Sequence, residues 1–100
     1  MVLSTHADRA AARALARELV ERRLAACVNV VAGALSVYAW KGAIEEADEV
    51  LLVIKTSASR LAELERAYAQ LHPYDTPEWV VMSPEHVAPR YLEWLLEQTR

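Results

Sequence analysis

An α+β sandwich is the fold class that three features of this 100-residue sequence predict. Two segments carry apolar residues at helical spacing, and others are rich in the β-branched and aromatic residues of strands. The two kinds follow one another in the order strand, helix, strand, strand, helix, strand, with a short helix at the end. A chain of this length has room for one hydrophobic core, so residues 1–100 are read as a single domain.

Met1–Thr5 is the first strand, and Asp8 stands where an N-cap belongs. Ala12, Leu15, Ala16, Leu19 and Val20 then recur at helical spacing from Arg9 to about Arg23, opposite Arg13, Arg17, Glu18 and Glu21. Leu24–Val31 has β character in its second half and closes at Ala32-Gly33. Leu35–Lys41 alternates as a separate strand, and Lys41-Gly42 forms a turn or bulge in which Gly supplies positive φ. Glu49–Thr56 contains a continuous apolar core, Val50–Ile54, and reads as a central strand buried on both faces. Ser57 or Ser59 caps a second helix bearing Leu61, Leu64, Tyr68 and Leu71, which His72-Pro73 ends. Glu78–Met82 is the last strand, and Pro89 opens the final helix with Tyr91, Leu92, Leu95 and Leu96. This order is the ferredoxin-like β-α-β-β-α-β arrangement with an added C-terminal helix. Its helices cover one sheet face only. The other, carrying Val37 or Tyr38, Trp40 and part of the Val50–Ile54 strand, is apolar and calls for a partner.

Composition narrows the function. The net charge is −3, from 11 basic and 14 acidic residues, which argues against a phosphate-driven nucleic-acid binder. The strand Val50–Ile54 also lacks the aromatic platform of an RNA-recognition module. One cysteine, Cys27, excludes an internal disulfide or a paired-cysteine metal motif. No apolar run approaches the length of a membrane span, and no signal-peptide pattern opens the chain, so a cytoplasmic location is expected. Gly33 and Gly42 are the only glycines, so no glycine-rich phosphate loop exists, and no nucleophile motif points to an enzyme or an organic cofactor.

His72-Pro73-Tyr74-Asp75-Thr76-Pro77-Glu78 is the most unusual stretch, because two prolines stiffen a loop that holds an imidazole and two carboxylates. The residues alone leave two roles open: metal or acid–base chemistry at His72, Asp75 and Glu78, or a rigid connector. Cys27 reads first as a small core hydrophobe, and as a soft Cu(I) ligand only where exposed. Trp40, Trp79 and Trp94 read as packing or interface anchors. Lys55 marks a strand end or an anion contact.

Three motifs carry a resemblance: Leu24-Ala25-Ala26-Cys27-Val28-Asn29, Ser36-Val37-Tyr38-Ala39-Trp40-Lys41-Gly42, and His72 to Glu78. With Glu49, Lys55-Thr56 and Tyr91–Leu95 in the same order, the chain resembles the CutA family of divalent-cation tolerance proteins from about Val2 to Leu95. The resemblance implies a homotrimer similar in architecture to the PII signalling proteins, a link to copper or another divalent cation, and no established enzymatic reaction. By motif match the metal candidates are His72 and Cys27. A second possibility is a small-molecule or protein-interaction trimer, binding an anionic ligand between subunits through Lys55, Tyr38 or Tyr74. The segment Ser83–Pro89 departs from the family, which commonly has a glycine there.

Overall fold

Four antiparallel strands in the order β2-β3-β1-β4 form the sheet of the computed structural model, which describes all residues Met1–Arg100. The strands are β1 (Val2–His6), β2 (Cys27–Trp40), β3 (Ala43–Lys55) and the two-residue β4 (Val80–Val81). The helices are α1 (Arg9–Glu21), α2 (Leu61–Leu71) and α3 (Pro89–Gln98). None is long and apolar enough to cross a membrane.

Strand pairing decides which residues meet the helices. β1 pairs Val2 with Ile54, Ser4 with Leu52 and His6 with Val50, and all six are buried on one sheet face. Leu15 and Leu19 of α1 and Leu64 and Tyr68 of α2 close over that face. Each such side chain removed from water contributes roughly 1.5–3 kcal/mol. Leu51 and Val53 point the other way and are only half-buried. The expectation that β3 is buried on both faces therefore fails: it is central, but helices pack on one side alone.

Local signals set the element ends. The Asp8 carboxylate accepts from the Ala10 and Ala11 N–H groups, capping α1 as expected. The helix ends at Glu21 in a Schellman motif. The Leu24 N–H reaches the Leu19 carbonyl and the Arg23 N–H reaches the Val20 carbonyl, around Arg23 at φ 61°. Arg23 occupies a position that favours glycine, and its guanidinium donates to the Glu97 carbonyl in the last turn of α3 and to the Arg100 carbonyl beyond it. Arg60 donates to the Thr99 carbonyl beside it. Two arginines thus satisfy the negative end of α3, which otherwise presents unpaired carbonyls.

Two expected boundaries are corrected. Neither Ser57 nor Ser59 caps α2: Ser57 stands at the N-cap of a 3-10 turn, Ala58–Arg60, that leads into α2, but makes no side-chain capping bond there, and the two serine hydroxyls bond each other at 3.2 Å. The break expected at Ala32-Gly33 is a β-bulge within one continuous strand, since Val31 faces Leu51 and Ala34 already faces Glu49. Gly33, at φ 86°, supplies the left-handed residue. The extra residue reverses the parity of β2, so Ser36, Tyr38 and Trp40 share the open face with Val31. β3 also begins six residues before the expected Glu49, at Ala43, and β4 is shorter than the expected Glu78–Met82. The segment Ser83–Ala88 is irregular, with a bend at Glu85.

The hairpin tip joins Trp40 to its partner Ala43 through Lys41 (φ 49°) and Gly42 (φ 80°), a two-residue turn with both angles positive. Gly suits its place, whereas Lys carries the left-handed penalty. Lys41→Asn is expected to stabilise the fold by about 0.5–1 kcal/mol. The check is a higher urea midpoint with an unchanged slope.

Candidate functional site

The stiff loop after α2 is fastened to the sheet by three side chains. His72, 6% exposed, is the C-cap of α2; its Nδ1 accepts the Tyr74 N–H at 3.1 Å and its Nε2 meets the Thr5 carbonyl at 2.8 Å. Because a backbone N–H occupies Nδ1, Nε2 is the nitrogen that donates. The Tyr74 hydroxyl donates to Glu49 Oε2 at 3.1 Å. Deeper in, the Tyr68 hydroxyl donates to Ser4 Oγ, which donates to the Glu78 carbonyl at 2.6 Å. Burial pushes the Tyr68 phenol up to about 12, against the opposing Ser4 bond, and nearby Glu78 and Tyr74 add to the rise. Burial also raises Tyr74, helped by its bond to Glu49. Both phenols thus stay protonated as donors.

An aromatic stack backs the loop. The His6 and His72 rings lie 4.7 Å apart, His72 meets Tyr74 edge-on at 4.6 Å, and Tyr68 lies 5.2 Å from His72. His6, 2% exposed, has its Nδ1 occupied by the Asp8 N–H at 3.0 Å. Burial holds its pKa below the usual 6.5; His72 lowers it further, while Asp8 and Glu49 oppose.

In front of the loop, on the open sheet face, lies a cleft of about 690 Å³. Tyr38 and Trp40 from β2, Glu45 and Glu49 from β3, and Tyr74, Asp75 and Glu78 from the loop line it, with Thr5 and Ser36 on its floor. Four carboxylates and no Lys or Arg border this space. Five of the residues singled out in the sequence, Tyr38, Trp40, Tyr74, Asp75 and Glu78, are therefore brought together.

The other three are not. His72 lies behind the cleft with both ring nitrogens in hydrogen bonds, so in this conformation it presents no lone pair to a metal. Cys27 is half-buried on the open face; its thiol reaches only Asn29, at 4.0 Å. It pairs with Lys55, four residues along β3 from Leu51, the partner of Thr5. Cys27 thus stands some ~13 Å along the sheet from the His72 contact. Lys55 is ~20 Å along β3 from Glu49, away from the cleft. No three His, Cys, Asp and Glu side chains form a group able to hold a metal ion.

Sequence reasoning missed Glu45 as a cleft residue, and Ser4 and His6 as anchors. The signal for the anchors was present: Val2, Ser4 and His6 alternate on one face of β1, so two polar residues had to find buried partners.

A sequence model of the family described as "CutA1 divalent ion tolerance protein" matches residues 1–98. The chain belongs to the CutA1 family. Among CutA1 relatives, the divalent-cation tolerance protein CutA of Thermus thermophilus is 42% identical over 99 residues, covering 99% of this chain and 96% of the relative. The human protein CutA is 42% identical over 88 residues, covering 88% of this chain but 49% of the relative. The chain likewise spans 56% of the Xenopus laevis homologue, so it matches about half the length of these animal relatives. Among solved CutA1 structures, the Thermus thermophilus protein superposes with a TM-score of 0.95, covering 99% of this chain and 96% of that one. CutA from Xylella fastidiosa, 37% identical, also gives 0.95, with coverages of 99% and 95%. The mixed α+β fold, with its four-stranded antiparallel sheet and three helices, matches these structures.

Proposed function

We propose that this CutA1-family chain serves divalent-cation tolerance as a cytoplasmic homotrimer, and that cations are taken up at the acidic cleft. The observation that carries this reading is the cleft lining: Glu45, Glu49, Asp75 and Glu78, with no basic side chain among them. Facing carboxylates set up a negative potential that attracts cations and repels anions. An anionic ligand held by Lys55 is the weaker alternative, because Lys55 stands far from Tyr38 and Tyr74.

Assembly is supported by the far half of the hairpin. Leu35, Val37 and Ile44 lie on the face opposite Tyr38 and Trp40, with exposures of 63%, 59% and 75%. A second copy is the natural cover for such a surface. Since no single chain assembles a closed metal site, the remaining ligands would come from a neighbouring subunit or from water. Copper or another divalent cation is the expected ligand, with no catalytic role. His72 could join only by giving up the Tyr74 N–H or the Thr5 carbonyl; Cys27 offers its thiol elsewhere on the face.

The test is calorimetric titration of Cu²⁺ and Zn²⁺ into wild type, Glu49→Gln/Glu78→Gln, His72→Ala and Cys27→Ser. The double carboxamide variant is expected to weaken binding roughly tenfold per lost charge. Unchanged affinity there, with loss in His72→Ala or Cys27→Ser, would move the cation to those residues. No binding to any form would overturn the reading.

A further inference from the structure

The cleft is built for something larger than a bare ion. A divalent metal draws its oxygen ligands to within about 2.0–2.6 Å, so carboxylates sharing one must converge. These do not. Glu45 and Glu49 are four residues apart on one face of β3, ~13 Å along the strand, and no convergent ligand group exists anywhere in the chain. Glu49 is further occupied by the Tyr74 hydroxyl.

What the carboxylates enclose is aromatic. Tyr38 and Trp40 come from alternate positions of β2, on the same face, and are 40% and 49% exposed in the single chain. Tyr74 stands across from them on the loop, held in place at its hydroxyl by Glu49 and at its backbone by His72. Exposed aromatic faces attract cations through the ring quadrupole and prefer weakly hydrated organic ammonium groups, whose methylene stems also pack on the rings. Small metal ions hold their water too firmly to profit from such walls. A volume of about 690 Å³ suits a small organic molecule.

From this cavity we infer that the cleft binds a linear aliphatic polyamine, its separated ammonium groups meeting Glu45 at one end and Asp75 or Glu78 at the other, its stem lying along Tyr38, Trp40 and Tyr74. The inference rests on the cation-uptake reading above and names a second class of cation for the same site. Spacing of charge, and not charge alone, is then what the cleft selects. Compact divalent ions would bind by general attraction, and a polyamine by fit.

The experiment titrates spermidine into the assembled protein by calorimetry, with Trp40 fluorescence as a second readout and 1,8-octanediol as the uncharged stem. Spermidine is expected to bind and to perturb the indole, and the diol to do neither. Trp40→Leu and Glu78→Gln should each weaken spermidine roughly tenfold. Asp75→Asn, at an exposed loop position, supplies a further variant if Trp40→Leu disturbs the assembly. Cu²⁺ titrated into the same samples separates the two claims. Copper binding that depends on the carboxylates, without spermidine binding, overturns the polyamine inference and leaves cation uptake standing. Absence of both overturns both. Spermidine binding indifferent to Trp40, Asp75 and Glu78 overturns the inference as well.

Discussion

Lysine at both Leu35 and Ile44 is expected to turn the proposed trimer into single chains. Both side chains lie on the far half of the hairpin, at 63% and 75% exposure, where nothing in their own chain covers them. Burying each against a neighbour is worth roughly 1.5–3 kcal/mol, and closed symmetry repeats that gain at every interface. Lysine removes the gain and adds the cost of desolvating a charge. The substitution spares the protomer: Leu35 pairs with Asp48, and Glu46 lies two residues along β3 from Ile44, so the new ammonium groups meet carboxylates across and along the hairpin. Sedimentation should move from about three chains to one, with an unchanged far-ultraviolet spectrum. An unaltered trimer would mean that this face looks into solvent and that another surface joins the copies.

His72→Ala is expected to cost about 3 kcal/mol of stability, a large share of what so short a chain possesses. The ring fills a buried position against His6, Tyr68 and Tyr74 and bonds two backbone groups. Truncation leaves a void and strands the Tyr74 N–H and the Thr5 carbonyl. Urea unfolding measures the loss, and faster proteolysis at Tyr74 would show the loop released. A change under about 1 kcal/mol would mean that water replaces the ring at little cost. Its neighbour makes stability acid-sensitive. Burial lowers the folded-state pKa of His6, with His72 adding to the effect and Asp8 and Glu49 opposing it. The unfolded chain therefore binds a proton more readily than the folded one. This contribution is complete above the ordinary histidine value of about 6.5 and is lost as pH falls through the lower folded value. Urea midpoints at pH 7 and pH 5 should differ less in His6→Asn than in wild type.

Much of this architecture is legible in the residues because local and long-range requirements agree. Asp8, the alanine-rich α1, the Lys41-Gly42 turn, the Val50–Ile54 core and Pro89 each act within their own segment. Where they were misread, pairing had overridden composition. Ala32-Gly33 looks like a stop, yet β3 holds β2 in register through it, and the bulge absorbs the extra residue. Glu45, Glu46 and Asp48 disfavour a strand by propensity, but a tight hairpin turn presents them to a ready partner. At the site, the Tyr74–Glu78 loop stands out by its prolines. Glu45, which it faces, could not be found without the register, since it lies ahead of the strand expected from Glu49. The metal candidates show the reverse: His72 carries the right chemistry, and its surroundings, invisible in sequence, occupy both nitrogens.

The length of that hairpin also bears on how the chain reaches its fold. β2 and β3 are neighbours in sequence, joined by two residues, and their pairing needs only short-range closure, on the scale of microseconds. Every other pairing waits on distant segments: Val2 must meet Ile54, and then Val81 must meet Val2. Both edges of β1 thus depend on long loops whose closure slows folding. The hairpin should form first, with Leu35, Val37 and Ile44 bare from the outset. Association between young chains then competes with completion of the sheet, and refolding yield should fall as protein concentration rises.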